Sequence, residues 1–236
     1  MRKCTILFVS FLFASVAFAQ KSVLIIPFDT KMFNNQESQS ICEYSGISYD
    51  KSVERFRNEL DLQIYAALKD SMTVSSLLRS YTTDASSDMQ IVHENSQYYF
   101  DEGKKQDINK PGKFKPNENV TIGEITSLKT DNSQKLVAVK IKDPQLYSDL
   151  VQNYKAQYVV YITQFELLGD YSNPYTVADK SYERTIKVHY VIYNAMGKFV
   201  SGEIATTTFS AKVNDIDQIC DQYLSVVAKQ IARKIP

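Results

Sequence analysis

The feature that most constrains this chain is its last third, where three apolar, β-branched runs follow one another and end in an amphipathic helix. "QYVVYITQFEL" (157–167) is almost unbroken, as a strand buried on both faces requires. "ERTIKVHYVIY" (183–193) alternates instead, with Ile186, Val188, Tyr190 and Ile192 on one face. "KFVSGEIATTTF" (198–209) comes after Asn194-Ala195-Met196-Gly197, whose Asn-first, Gly-last order suits a type I turn, so the second and third runs should form a hairpin. Ile216, Ile219, Cys220, Tyr223, Leu224, Val227 and Ile231 then recur at helical spacing.

The remainder is read around that core. "SVLIIPF" (22–28) has the composition of a strand buried on both faces, and Pro27, lacking an N–H, should end it. Residues 29–49 are polar and aperiodic. Val53, Phe56, Leu60, Ile64 and Ala67 mark an amphipathic helix with Asp50 or Ser52 as its cap, and "VSSLLRSY" (74–81) reads as a second, shorter one. Residues 88–100 fit a helix closed by Tyr98-Tyr99-Phe100. Asp101–Asn119, dense in Lys, Asp, Asn, Gly and Pro, has almost nothing to bury and reads as an exposed loop. "NVTIGEITSL" and "QKLVAVKI" read as an inserted hairpin turning at Asp131-Asn132-Ser133, and "QLYSDLVQNY" as a helix after Pro144. The expected fold is α/β, a mixed sheet with helices packed on it in the order β-α-α-(inserted hairpin)-α-β-β-β-α, forming a single domain over residues 20–236.

Met1-Arg2-Lys3, an apolar run to Phe18 and small residues at Ala17 and Ala19 have the form of a secretory signal peptide over residues 1–19, with the mature chain starting at Gln20. The run is too short for a retained spanning helix, which needs about 20 apolar residues. Cys4 falls inside the leader, so no cysteine stands ready for a lipid anchor. Without Arg2 and Lys3, 25 of the 27 basic residues face 27 acidic ones, a balance that argues against nucleic acid as partner. Export places Cys42 and Cys220 where a disulfide persists. Bridged, they would remove roughly 5 kcal/mol of unfolded-state entropy in the chain-entropy model; unbridged, they are small buried hydrophobes.

The opening strand ending at Pro27-Phe28, the helix leading into "AQYVVYITQFEL", the hairpin turning at Gly197 and the terminal helix "LSVVAKQIARKI" together resemble a group of bacterial envelope accessory domains. These are the amino-terminal domain of TolB, the outer-membrane activators of penicillin-binding proteins and the curli secretion protein family. "KSVLIIPFDTKMF" directly after "AFAQ" also resembles uncharacterised secreted proteins of Bacteroidota-type Gram-negative bacteria. The resemblance implies a periplasmic or secreted location and a role in docking. The segment from Ser71 to Lys142 has no counterpart in it.

Among candidate chemical groups, Ser48 and Lys51 have the Ser-x-x-Lys spacing of penicillin-recognising enzymes, but the companion Lys-Thr-Gly is lacking, since Lys129-Thr130 precedes Asp131. A helix cap is the ordinary use of Ser48. His93 and His189 have no second ligand at metal spacing and read as exposed strand or helix positions, so no metal or cofactor is implied. The carboxylate pairs Asp215/Asp217 and Asp101/Glu102 read as solvated surface. Asp70-Ser71-Met72 resembles an acceptor for O-glycosylation in Bacteroidota-type bacteria, or ends a helix.

The strongest bias toward function is "DYSNPYTVADKSY" (170–182), where Tyr171, Tyr175 and Tyr182 lie in a connection longer than two strands need. Tyrosines among small polar residues make contact surfaces at low entropic cost. The expected function is a non-enzymatic cell-envelope accessory domain that docks a partner protein or envelope polymer through these tyrosines. The alternative is a hydrolase or small-ligand-binding protein with its site near residues 29–49.

Overall fold

The computed structural model describes residues 20–79, 85–101 and 135–236. It is an α/β fold built on a mixed sheet. The strands are β1 (Ser22–Ile26), β2 (Phe33–Asn35), β3 (Thr73–Ser76), β4 (Ser96–Asp101), β5 (Leu136–Ile141), β6 (Tyr158–Gly169), β7 (Glu183–Asn194) and β8 (Phe199–Ser210). The helices are α1 (Ser38–Ser45), α2 (Tyr49–Leu68), α3 (Ala85–Glu94), α4 (Pro144–Asn153), the short α5 (Pro174–Ala178), and a closing helix in which α6 (Ile216–Ile219) and α7 (Ser225–Ala232) are joined by a π-helical turn at Cys220–Leu224. The main sheet runs β3-β1-β6-β7-β8, with β2 also on β6, and β4 pairs with β5 in a second, two-stranded sheet.

Parallel pairing joins β3 to β1 and β1 to β6, whereas β6-β7-β8 is an antiparallel meander. The long runs of the last third therefore form the widest part of the sheet. The hairpin turn falls where Asn194 and Gly197 place it: Gly197 adopts φ +72° and its N–H donates to the Asn194 carbonyl at 2.9 Å, a conformation that costs glycine nothing.

β1 is covered on both faces. Val23 and Ile25 join a core made with Phe56, Leu60 and Ile64 of α2 and with Ile219, Leu224, Val227 and Ile231 of the closing helix. Leu24 and Ile26 join a second core with Val92 of α3, Tyr98 and Tyr99 of β4, Val137 and Val139 of β5 and Leu150 of α4. The result is three layers. Truncating a residue such as Leu60, only 1% exposed, to Ala should cost about 2–5 kcal/mol.

Several expectations are corrected. "VSSLLRSY" does not start a helix, because Thr73–Ser76 pairs in parallel with β1 as β3; a β-branched edge segment found a partner strand that outweighed its weak helical period. The helix of residues 88–100 stops at Glu94, and the aromatic cluster belongs to β4. β5 pairs with β4; "NVTIGEITSL", the 131–133 turn, the leader and the loop after Asp101 lie outside the described residues. Residues 29–49 are more ordered than their polarity suggests, holding a 3-10 turn at Thr30–Met32, β2 and α1.

The second sheet is tied to the first by polar groups as well as by packing. Ser96 and Tyr98 hydroxyls meet the buried Tyr161 hydroxyl at 2.9 and 3.3 Å. Val137 donates its N–H to His189 Nδ1 at 3.0 Å. His93 of α3 reaches the Pro27 carbonyl through Nε2 at 3.0 Å, satisfying a group left over where β1 ends.

Burial holds the His93 imidazole below its ordinary value of 6.5, against the opposing pull of the Pro27 carbonyl. The folded state then binds fewer protons than the unfolded chain between the lowered value and 6.5, so stability falls as pH drops through that window. A His93→Gln variant should show a flatter decline of the urea midpoint on the acid side of 6.5. An unchanged slope would assign the acid sensitivity to other groups.

Candidate functional site

The loop of residues 170–182 is built from the sheet outward. β6 ends at Gly169, where an added Cβ would meet the Glu37 carboxylate and the Tyr171 ring, so a larger residue there would displace the side chains that hold the loop. Asn173 caps α5 through Tyr175 N–H at 3.0 Å, with Pro174 at its first position. Asp170 and Asp179 accept from Ser172 and Ser181 backbone N–H groups at 3.0 and 2.9 Å. The loop is thus a chain of side-chain-capped turns rather than a slack connection.

Beneath it lies a buried ion pair. Arg184 of β7 is 1% exposed and Glu37, which precedes α1, is 4% exposed. Arg184 Nε and Nη2 both reach Glu37 Oε2, at 2.8 and 2.7 Å, while Nη1 donates to the Val213 carbonyl at 2.8 Å and Nη2 to Ser40 Oγ at 2.9 Å. Tyr182 donates its hydroxyl to the same carboxylate at about 3 Å, and the Tyr171 hydroxyl also donates to it. Their rings lie 5.2 Å apart. Burial, and next the Glu37 carboxylate, push the Tyr171 hydroxyl well above the ordinary range, which keeps it a donor.

The three tyrosines therefore separate. Tyr171 and Tyr182 are bonded to the interior by their hydroxyls, while Tyr175 on α5 is 86% exposed. Neither Glu37 nor Arg184 stands out as a functional residue in the sequence, though one signal exists: Arg184 shares the parity of Ile186, Val188 and Tyr190, which puts a charge at a core position of β7.

No protein-family model matches the chain, and no curated protein does. Among solved structures, the hypothetical protein CT253 from Chlamydia trachomatis is similar at a TM-score of 0.39 and 12% identity, over 92% of this chain and 98% of that one.

The other candidate residues have definite places. Ser48 caps α2 by accepting from the Lys51 N–H, its ordinary use. Cys42 and Cys220 are free thiols. Cys220 faces the core from the π-turn while Cys42 is half-buried on α1, so the candidate bridge is not formed; burial pushes the Cys220 thiol well up. His189 is buried rather than exposed. Because its Nδ1 accepts the Val137 N–H, Nε2 carries the proton and faces Glu166 Oε2 at 3.4 Å. Burial would raise Glu166, but the His189 contact, Asn34 and Lys187 outweigh it and hold the carboxyl below its usual range. Asp215 caps α6, and Asp217 pairs with Arg55 at 2.9 Å. Asp101 closes β4. Between Tyr44, Ile47, Lys51 and Arg55 on one side and Asp215 and Asp217 on the other lies an open cleft of about 470 Å³.

Replacing Glu37 by Ala should lower the unfolding free energy by about 3–5 kcal/mol, because it strands a buried guanidinium. The Glu37→Met/Arg184→Met double variant should recover most of that loss. Urea unfolding of the three proteins is the check, and a small effect of Glu37→Ala would show that water reaches Arg184.

Proposed function

We propose that this protein is a non-enzymatic accessory domain of the cell envelope that docks a partner protein or an envelope polymer through the loop of residues 170–182. The observation that carries this reading is the presentation of Tyr175. An exposed ring on a free loop loses entropy on binding, whereas this one stands on a capped helical turn tied to a buried ion pair through Tyr171 and Tyr182. A pre-ordered aromatic with its face in water has the form of a binding hot spot. The exported location rests on the leader read in residues 1–19 and on the resemblance to envelope accessory domains. Among the described residues no helix is long and apolar enough to cross a membrane.

A second reading is favoured by the cleft at the α1–α2 corner. Its volume of about 470 Å³ lies in the range of roughly 300–1,000 Å³ for small-molecule sites, and Tyr44 and Ile47 belong to or adjoin residues 29–49. Its openness to solvent and the charges of both signs along its walls make it the less confined candidate.

Tyr175→Ala should weaken capture of the partner from envelope extract about thirtyfold, the equivalent of a 2 kcal/mol hot spot, with the thermal midpoint unchanged. Tyr171→Ala should lower the midpoint as well. Full capture by a folded Tyr175→Ala variant would remove the loop from the interface and leave the cleft as the leading site.

A further inference from the structure

A different place in the fold holds a cation with no hydrogen-bond or ion-pair partner among the described residues. The chain passes from β1 through α2 to β3 on one side, while β6 lies on the other side of β1. The carboxyl end of β1 is therefore where strand order reverses, the position at which parallel sheets open a crevice for ligands. Here the ladder is also interrupted. Pairing between β1 and β6 stops at Ile26 with Tyr161 and resumes with β2 at Phe33 with Phe165. The notch between holds Pro27 and Phe28 just past β1 and Ile162 of β6, with Arg57 and Asp61 from α2.

Arg57 is half-buried, and its Nε is enclosed with no hydrogen-bond partner. No hydrogen bond or ion pair to Arg57 is made among the described residues. Three other arginines show what the fold does with a guanidinium it has a use for: Arg184 meets Glu37 at 2.7 Å, Arg79 meets Asp61 at 2.7 Å and Arg55 meets Asp217 at 2.9 Å. The carboxylate that shares the notch, Asp61, is already taken by Arg79 and by the Ser76 hydroxyl at 2.6 Å. Glu54, one turn back on α2, and Asp29, at the end of the β1 loop, act on Arg57 through charge alone. A partly desolvated cation without a contact partner is costly unless something anionic completes it.

We infer that Arg57, at the carboxyl end of β1, is the anchor of a binding site for a small oxyanion group, a carboxylate or a phosphoryl group on a ligand. The notch is too narrow to enclose a ligand. The anion docks at its mouth, on the outer nitrogens of the guanidinium, whose planar fork suits a bidentate oxyanion. Arg79, at the same end of the sheet, is already paired with Asp61, so the open charge there is that of Arg57. Burial lowers Arg57 from its ordinary value, and a bound anion would reverse that.

The test is thermal unfolding of the full mature chain in inorganic phosphate, in acetate and in chloride at matched ionic strength, for the wild type, Arg57→Met and Arg57→Lys. The wild-type midpoint should rise saturably with phosphate or with acetate beyond the chloride control. A response to phosphate alone assigns a phosphoryl ligand, a response to acetate alone a carboxylate, and a response to both the shared oxyanion chemistry. Arg57→Met should fold, since it removes an unpaired charge, and should bind the anion about tenfold or more weakly, as expected for losing a charged hydrogen bond. Arg57→Lys, which keeps the charge without the fork, should fall between and serves if the Met variant does not fold. No response of the wild type beyond chloride, or equal responses in wild type and a folded variant, would overturn the inference.

Discussion

Two strands that are apolar on both faces, β1 and β6, impose the architecture. A strand with Val23 and Ile25 on one side and Leu24 and Ile26 on the other cannot leave either face in water, so each side must carry a layer. α2 and the closing helix supply one. The other comes from α3, α4 and the β4–β5 pair, and it is assembled from less regular pieces held by hydroxyl, imidazole and backbone bonds at Tyr161, His189 and Val137. The polar ties fit a small two-stranded sheet that could not persist without the larger one beside it.

What could be read from the residues follows the strength of local periodicity. β6, β7, β8, the turn at Gly197, α2 and the closing helix each carry a pattern that only one element satisfies, and all are found where expected. β3 was illegible because Thr73–Ser76 owes its state to β1 rather than to its own composition, and an edge segment of this length has no period to speak of. β4 was hidden for the same reason: Tyr98-Tyr99-Phe100 pack equally well as the end of a helix or as a strand, and pairing with β5 decides. α1 and β2 sit in a mostly polar stretch in which Glu37 is buried while Gln36, Gln39 and Glu43 are exposed, so composition pointed to an open loop.

The site was legible in part. The length and tyrosine content of residues 170–182 marked the loop, but nothing local could tell Tyr175 from its neighbours. That distinction depends on Glu37, which is distant in sequence and meets Tyr171, Tyr182 and Arg184 only after the sheet and α1 are in place. Arg184 at a core parity was the one visible sign. A buried charge asks for a partner, and the carboxylates of residues 29–49 were available to provide it.

The interrupted edge of β6 explains why both polar features arise in one fold. β1 and β2 run along β6 as a single strand with a gap, and residues 27–32 leave the ladder where Pro27 has no N–H to contribute. On the far side of the gap, the resumed pairing delivers Glu37 to the end of β6, beneath Gly169, where Arg184 receives it. Within the gap itself, the chain withdraws from the sheet and leaves Arg57 of α2 facing a notch instead of a strand. The Glu37–Arg184 pair gains little net stability over an apolar pair of the same volume; what it contributes is direction, since a fork bonded to Glu37, Ser40 and the Val213 carbonyl admits one arrangement of α1 against β7 and so one placement of the loop above it. Arg57 has the opposite condition, a position set by α2 and a charge left open, which is why the two arginines, one fully buried and paired, the other half-buried without a hydrogen-bond partner among the described residues, play different parts in the same molecule.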